Sequence, residues 1–290
     1  MALHSPRRRP AAVAVVLCLF LTVPVLAAGG AQAAAPAAAT RASAGGGAGA
    51  ERARPAAAPS SDVLQSLADL LARLLSGAPA GPAAAPAPDP LIARAAASTV
   101  RVSGVACGIR VTGSGFSAAP DTIVTNAHVV AGVTRPVVLR PDGVSLAAQV
   151  QTFDPSRDLA VLSVPGLGQA ALPLASAVVG ESDVILGHPG GQVRVEASPA
   201  RVVRRVTADV GNIYDTAPSV RQILVLSAQI DPGDSGAPVV NSSGQVVGVA
   251  FAVSTSRRST AFAVASEELA PVLARRRSGP VSTGPCLAAA

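Results

Sequence analysis

Ser235 sits in the string Gly233-Asp234-Ser235-Gly236. A serine hydroxyl is a weak nucleophile until a neighbouring base takes its proton during attack. It also needs a tight turn that exposes the oxygen and aims backbone N–H groups at the oxyanion it creates. Glycines around Ser235 permit such a turn, and the amides of Gly233 and Ser235 are the natural oxyanion donors. Upstream, Thr125-Asn126-Ala127-His128-Val129-Val130 places a histidine directly after an apolar β-branched run. Thirty residues further on, Asp158 opens the run Leu159-Ala160-Val161-Leu162. A histidine, a carboxylate and a serine are the residue types that acyl transfer through an activated hydroxyl uses. Asp154 competes with Asp158, but it precedes Pro155, a turn setting. His188 competes with His128, but it lies between glycine and proline in Gly187-His188-Pro189-Gly190-Gly191. Asp234 is expected to shape the oxyanion loop rather than to react. No cysteine or carboxylate stands at ligand spacing around these histidines, so no metal site is expected. No glycine-rich phosphate turn joins a strand to a helix, so no nucleotide or other cofactor is expected.

These side chains need rigid supports. Short β-branched runs at 99–105, 122–125, 136–140, 144–152, 159–164, 184–186, 201–207, 222–228, 246–254 and 260–265 read as strands. Turn strings such as Pro141-Asp142-Gly143 and Asn241-Ser242-Ser243-Gly244 separate them. Strands without alternating helices predict an all-β barrel or sandwich. A last element reads as a helix: Ser266 could cap it, Glu267 and Glu268 suit its start, Arg275–Arg277 suit its end, and Gly279-Pro280 stops it.

With Gly113-Ser114-Gly115-Phe116 upstream, the His, Asp, Ser segments resemble the chymotrypsin (trypsin-like) serine peptidases, including the bacterial HtrA-type branch. The resemblance covers roughly residues 98–265. It implies an all-β chain of two antiparallel six-stranded β-barrels with a C-terminal helix and an active site between the barrels. It implies that His128 is general base and then acid, that Asp158 holds its tautomer and stabilises the imidazolium, and that Ser235 attacks the scissile carbonyl. In that fold the pocket for the residue before the scissile bond lies around Gln229 and along Phe251-Ala252-Val253, with Ala261 opposite. None of these is a carboxylate or a histidine, so the expected preference is for a small apolar residue rather than Arg, Lys or Glu. Val105-Ala106-Cys107, the His188 turn, Asn212-Ile213-Tyr214 and Ser282-Thr283-Gly284-Pro285-Cys286 narrow the resemblance to the actinobacterial MarP group. That likeness implies membrane anchoring, action outside the cytoplasm in resistance to acid stress, and a disulfide. The sequence departs from these families in two ways. It has at most one candidate membrane segment where MarP proteins have several, and Ala237 stands where a second glycine usually follows the serine.

The remainder of the chain is an address and a spacer. Arg7, Arg8 and Arg9 precede the apolar run 11–28, and Ala31-Gln32-Ala33 follows, so residues 1–33 read as a secretory signal peptide or a single membrane anchor. Residues 34–90 are an Ala/Pro/Gly-rich linker interrupted by a short amphipathic helix at 62–76, and 91–290 form the folded domain. Beyond the targeting segment only Cys107 and Cys286 remain, in an oxidising compartment. A disulfide between them is expected, the alternative being two buried thiols; the MarP likeness favours the disulfide. The 290 residues carry a formal charge of +6 with no lysine, and 2% are aromatic. Without a basic stripe interleaved with aromatics, nucleic-acid binding is not expected. The expected partner is a protein or peptide substrate, the membrane is engaged only through an uncleaved N-terminal segment, and the enzyme is a secreted or extracytoplasmic monomer. An HtrA-like quality-control protease without its peptide-binding PDZ module, and a catalytically silent binding module, are the alternative readings.

Overall fold

The structure, a computed structural model, describes residues 89–254 and 259–287. The expected signal peptide or anchor and the linker up to residue 88, with its helix at 62–76, lie outside the described residues. The first element is a helix, α1 (Pro90–Ala97), where the sequence reading ended the linker. Asp89 in extended conformation accepts the Leu91 N–H at 2.7 Å, and Pro90 supplies the fixed φ of a first turn.

The first barrel contains β1 (Thr99–Ala106), β2 (Ile109–Ala119), β3 (Thr122–Thr125), α2 (Ala127–Val130), β4 (Val137–Leu139), β5 (Ser145–Ala147), β6 (Gln149–Asp154) and β7 (Leu159–Ser163). Its sheet has seven antiparallel strands in the order β5-β4-β1-β2-β3-β7-β6. The two edges, β5 and β6, are separated in the chain only by Ala148, whose N–H donates to Pro136 at 3.0 Å. They are halves of one bent strand, which curls the sheet upon itself and reconciles seven strands with the six expected. β2 went unread in the sequence because Gly113 and Gly115 look like turn residues. Both are required by close approach: a Cβ on Gly113 would lie 2.6 Å from Val129 and 2.8 Å from the Ser235 carbonyl.

The second barrel is closed, in the order β10-β13-β12-β11-β8-β9. Its strands are β8 (Ser182–Gly187), β9 (Glu196–Asp209), β10 (Val220–Ala228), β11 (Pro238–Val240), β12 (Val246–Val253) and β13 (Thr260–Ala265). Its interior is filled by small side chains such as Ala200, Ala237, Ala250, Ala261 and Ala263 beside Ile185, Leu224 and Val239. A narrow barrel admits such residues, so part of the chain's alanine is structural. A further core joins the barrels, where Phe116, Leu159 and Val161 meet Leu186, Ile223, Phe251 and Phe262.

A 3₁₀ turn (Ser266–Glu268) leads into α3 (Leu269–Ala274). Ser266 does not cap it; its hydroxyl donates instead to Ala175 at 2.6 Å. Glu268 meets Arg157 at 2.9 Å and Glu267 meets Arg205 at 2.6 Å, which pins α3 against both barrels. The tail then returns over the first barrel. Gly132 N–H donates to Thr283, the Thr283 hydroxyl to Val133, and Cys286 is disulfide-bonded to Cys107 in the β1–β2 turn with Cα atoms 6.2 Å apart. Among the described residues no helix is long and apolar enough to cross a membrane.

Candidate active site

β3 and β7 are neighbours with Thr125 opposite Ala160. That register puts the residues after β3 and before β7 at the same end of the first barrel, which is how a thirty-residue separation becomes a contact. His128 lies in the short α2 turn, and Asp158 precedes β7 at a positive φ of 55°. Such a conformation is unusual for a side-chain-bearing residue and is held here by its surroundings. The Asn126 amide donates to the Asp158 carbonyl at 2.8 Å. Asp158 Oδ1 accepts the His128 backbone N–H at 3.0 Å, and the carboxylate meets His128 Nδ1 at 2.8 Å through Oδ2 and 3.0 Å through Oδ1. Asp158 is fully buried, whereas the His128 side chain is 11% exposed. An ionised carboxylate only accepts, so Nδ1 carries the hydrogen and Nε2 is left as the acceptor of the ring.

Ser235 is half-buried in the loop between β10 and β11. Gly233 and Gly236 flank it at φ of 106° and 88°. A Cβ on Gly236 would meet the Ser114 carbonyl at 2.1 Å, and one on Gly233 the His188 carbonyl at 2.3 Å, so neither position admits a side chain. Within the loop Asp234 N–H donates to Asp231 and Ala237 N–H to the Asp234 carbonyl, while Gly236 N–H donates to Ala250 on β12. Among the described residues the amides of Gly233 and Ser235 have no hydrogen-bond acceptor, and no hydrogen bond joins the Ser235 hydroxyl to His128.

The competing residues are engaged elsewhere. Asp154 receives the Arg157 N–H and guanidinium at 2.9 and 3.1 Å. His188 is fully buried behind the loop that carries Ser235, with Nδ1 3.0 Å from the Gln192 carbonyl; burial pushes its pKa below the usual histidine value. Asp234 is buried, accepts the Asp231 N–H at 2.9 Å, and has its carboxyl pushed up to about 6, chiefly by desolvation. Of the expected pocket residues, Gln229 and Val253 are exposed and Ala252 half-buried. Phe251 and Ala261 turn inward: the Phe251 ring lies 6.5 Å from that of Phe262.

Sequence reasoning missed three supporting residues. In the sequence Asn126 is marked only as a neighbour of His128, and Ser114 only as part of a glycine-rich string. Arg221 is 2% exposed, donates to the carbonyls of Ser156 and Gly211, and stands over Phe251 with 5.6 Å from its guanidinium carbon to the ring centroid. Burial lowers its pKa, while the carboxylates of Asp158, Glu268 and Asp154 favour its charge. Its signal was an arginine on the inward face of a strand, a placement rarely found without a partner.

Comparison with known proteins matches this arrangement. Residues 113–249 match the family model of the trypsin-like peptidase domain. The serine protease Rv3671c of Mycobacterium tuberculosis is 36% identical over 205 residues, which are 69% of this chain and 51% of that protein. The crystal structure of the active form of the Rv3671c protease superposes with a TM-score of 0.68 at 35% identity, covering 74% of this chain and 98% of that one. The Do-like serine protease HtrB of Bacillus subtilis is 32% identical over 159 residues, covering 52% of this chain and 34% of HtrB. The chain therefore belongs to the trypsin-like serine peptidase family. It spans about half the length of the Rv3671c protein it matches.

Proposed function

We propose that this chain is a serine endopeptidase that acts outside the cytoplasm, with Ser235 as nucleophile, His128 as general base and acid, and Asp158 as the group that orients His128. The observation that carries the reading is the Asp158 carboxylate holding both the backbone N–H and Nδ1 of His128, which leaves Nε2 as the acceptor for a serine proton. Ser235 Oγ bonds to the scissile carbonyl carbon, the carbonyl electron pair moves to oxygen, and the hydroxyl proton passes to Nε2. The amides of Gly233 and Ser235 receive the oxyanion. The tetrahedral adduct collapses as His128 returns the proton to the departing amine, and water then cleaves the acyl-enzyme by the same sequence with His128 again as base. No step needs a metal or cofactor.

We place the pocket at Gln229, Ala252 and Val253, with Phe251 and Ala261 buried in the cores behind them. The absence of a carboxylate among them supports a small apolar residue before the scissile bond. The apolar run after the N-terminal arginines and the Cys107–Cys286 disulfide support an extracytoplasmic location. So does a relative named a probable periplasmic DegP-like endoprotease in Chlamydia pneumoniae, 32% identical over 148 residues. From the MarP likeness of the sequence we further propose a role in envelope stress.

The test is mass spectrometry of the protein after treatment with a fluorophosphonate probe. The expected result is one adduct, on Ser235, absent from the His128→Ala variant. A folded protein that takes up no probe would overturn the reading and leave a binding module.

A further inference from the structure

The loop that carries the oxyanion amides is held from outside itself. The Pro232 carbonyl accepts the Gly190 N–H at 2.6 Å, the Gly233 carbonyl accepts the Ser114 hydroxyl at 2.7 Å, and the Ser235 carbonyl accepts the Ser114 N–H at 2.7 Å. In a trans peptide the C=O and N–H point in opposite directions, so fixing a carbonyl also aims the amide that follows it. Holding the Pro232 carbonyl on the 187–191 turn directs the Gly233 N–H away from that turn. The Asp234 carbonyl, taken by Ala237 N–H at 2.9 Å, fixes the Ser235 N–H likewise. The peptide between these two belongs to Gly233 and Asp234. Its N–H end donates to the Asp231 carbonyl at 3.0 Å within the loop, whereas its carbonyl end, on a glycine that rotates with little steric resistance, is fixed only from outside the loop.

Ser114 secures it. Its side chain is fully buried on β2 of the first barrel. The His188 backbone N–H donates to its oxygen at 3.0 Å, and an amide can only donate. The single hydroxyl hydrogen is therefore committed to the Gly233 carbonyl. The Ser114 carbonyl in turn accepts the Thr125 hydroxyl at 2.6 Å, three residues before His128. One residue thus ties the oxyanion loop, the 187–191 turn and the strand leading to the general base.

Resting on the functional reading above, we infer that Ser114 is a positioning residue for catalysis. Its hydroxyl holds the Gly233–Asp234 peptide in the orientation that lets the Gly233 and Ser235 amides converge on the oxyanion. Ser114→Ala keeps the backbone bond to Ser235 and the volume of the strand. It leaves the Gly233 carbonyl and the His188 N–H buried without partners, so the Gly233–Asp234 peptide loses the bond that fixes its carbonyl end.

The test compares wild type, Ser114→Ala and Ser114→Thr, which restores a hydroxyl, at a temperature below the melting point of each. Turnover of labelled casein is measured alongside the second-order rate of inactivation by a fluorophosphonate. In that inactivation the Ser235 Oγ–P bond forms, the P–F bond breaks with loss of fluoride, and His128 takes the serine proton. The phosphoryl oxygen then occupies the oxyanion position. For Ser114→Ala, kcat is expected to fall about tenfold to a hundredfold, less than the loss of an oxyanion donor itself, with KM within about threefold. The inactivation rate should fall by a similar factor, and Ser114→Thr should recover most of both. Should Ser114→Ala not fold, Ser114→Cys, similar in size and a weak donor, takes its place with the same expectation. A Ser114→Ala enzyme with kcat and inactivation rate equal to wild type, or one changed only in KM, would overturn the inference and leave the functional reading intact. A wild-type protein that fails to react with the fluorophosphonate would overturn both.

Discussion

Asp158 holds His128 at two points, the backbone N–H at 3.0 Å and the ring Nδ1 at 2.8 Å. The first contact fixes where the imidazole starts and the second fixes which nitrogen carries hydrogen. Asp158→Asn retains the size of the side chain and can keep the backbone contact. Its amide can also donate to Nδ1, which moves the ring hydrogen to Nε2 and removes the acceptor that Ser235 needs. The expected outcome is a loss of about 10⁴-fold in kcat with little change in melting temperature. Steady-state kinetics paired with thermal melts check it.

The disulfide between Cys107 and Cys286 closes a span of 179 residues and ties the tail to the first barrel. Tyr214 adds to the attachment, its hydroxyl donating to the Pro285 carbonyl at 2.9 Å. In the chain-entropy account a loop of this length contributes up to about 5 kcal/mol by restricting the unfolded chain. The double variant Cys107→Ser/Cys286→Ser is expected to unfold at markedly lower urea, as is the wild type in the presence of a reductant. Equal midpoints with and without reductant would contradict this.

Asp183 is buried at the start of β8 with its Oδ2 unpartnered. Burial, and then the nearby Glu181, push its carboxyl up to about 7, against the opposing influence of the Val202 backbone and Arg201. Between the ordinary carboxylate range and that value, the folded state keeps a proton that the unfolded state has lost. Asp183 therefore makes stability fall as pH rises through this window and level off above it. Asp183→Asn should gain stability over wild type at about pH 8, and the advantage should shrink toward about pH 4.5. Urea midpoints at both pH values provide the check.

Ala237 departs from the family's glycine, and one methyl there could be expected to crowd the turn. The structure puts that methyl inside the second barrel, fully buried beside Val239 and Ala250. It has no positive φ to relieve. Ala237→Gly is therefore expected to destabilise the protein by about 1–2 kcal/mol, from lost apolar burial and added backbone freedom. A gain in melting temperature would show that crowding dominates.

Strands with uninterrupted β-branched residues were legible with little error: 122–125 and 260–265 coincide with β3 and β13. Elements whose residues answer to distant neighbours were not. β2 is broken by glycines demanded by Val129, Ile123 and the Ser235 carbonyl, and β11 is three residues long and begins with proline. α1 was hidden in a run of alanine and proline that reads as spacer, although its Asp-Pro start is a helix signal. Ser266 looked like a cap but is drawn to the Ala175 carbonyl of a segment far away in the chain.

The sequence by itself pointed to the kind of chemistry, because the proposed nucleophile with its glycines, the histidine after a strand and the aspartate before one are each local patterns. It also determined the barrel class, through periodicity and turns, and the two cysteines available to pair. Tertiary structure alone decided what supports those groups. Ser114 reaches Gly233 across 119 residues and Arg221 reaches Ser156 across 65. Buried polar groups must find partners wherever the folded chain puts them. Periodicity records which face of a strand is buried, and the carbonyl waiting on the opposite barrel exists only once both barrels have closed.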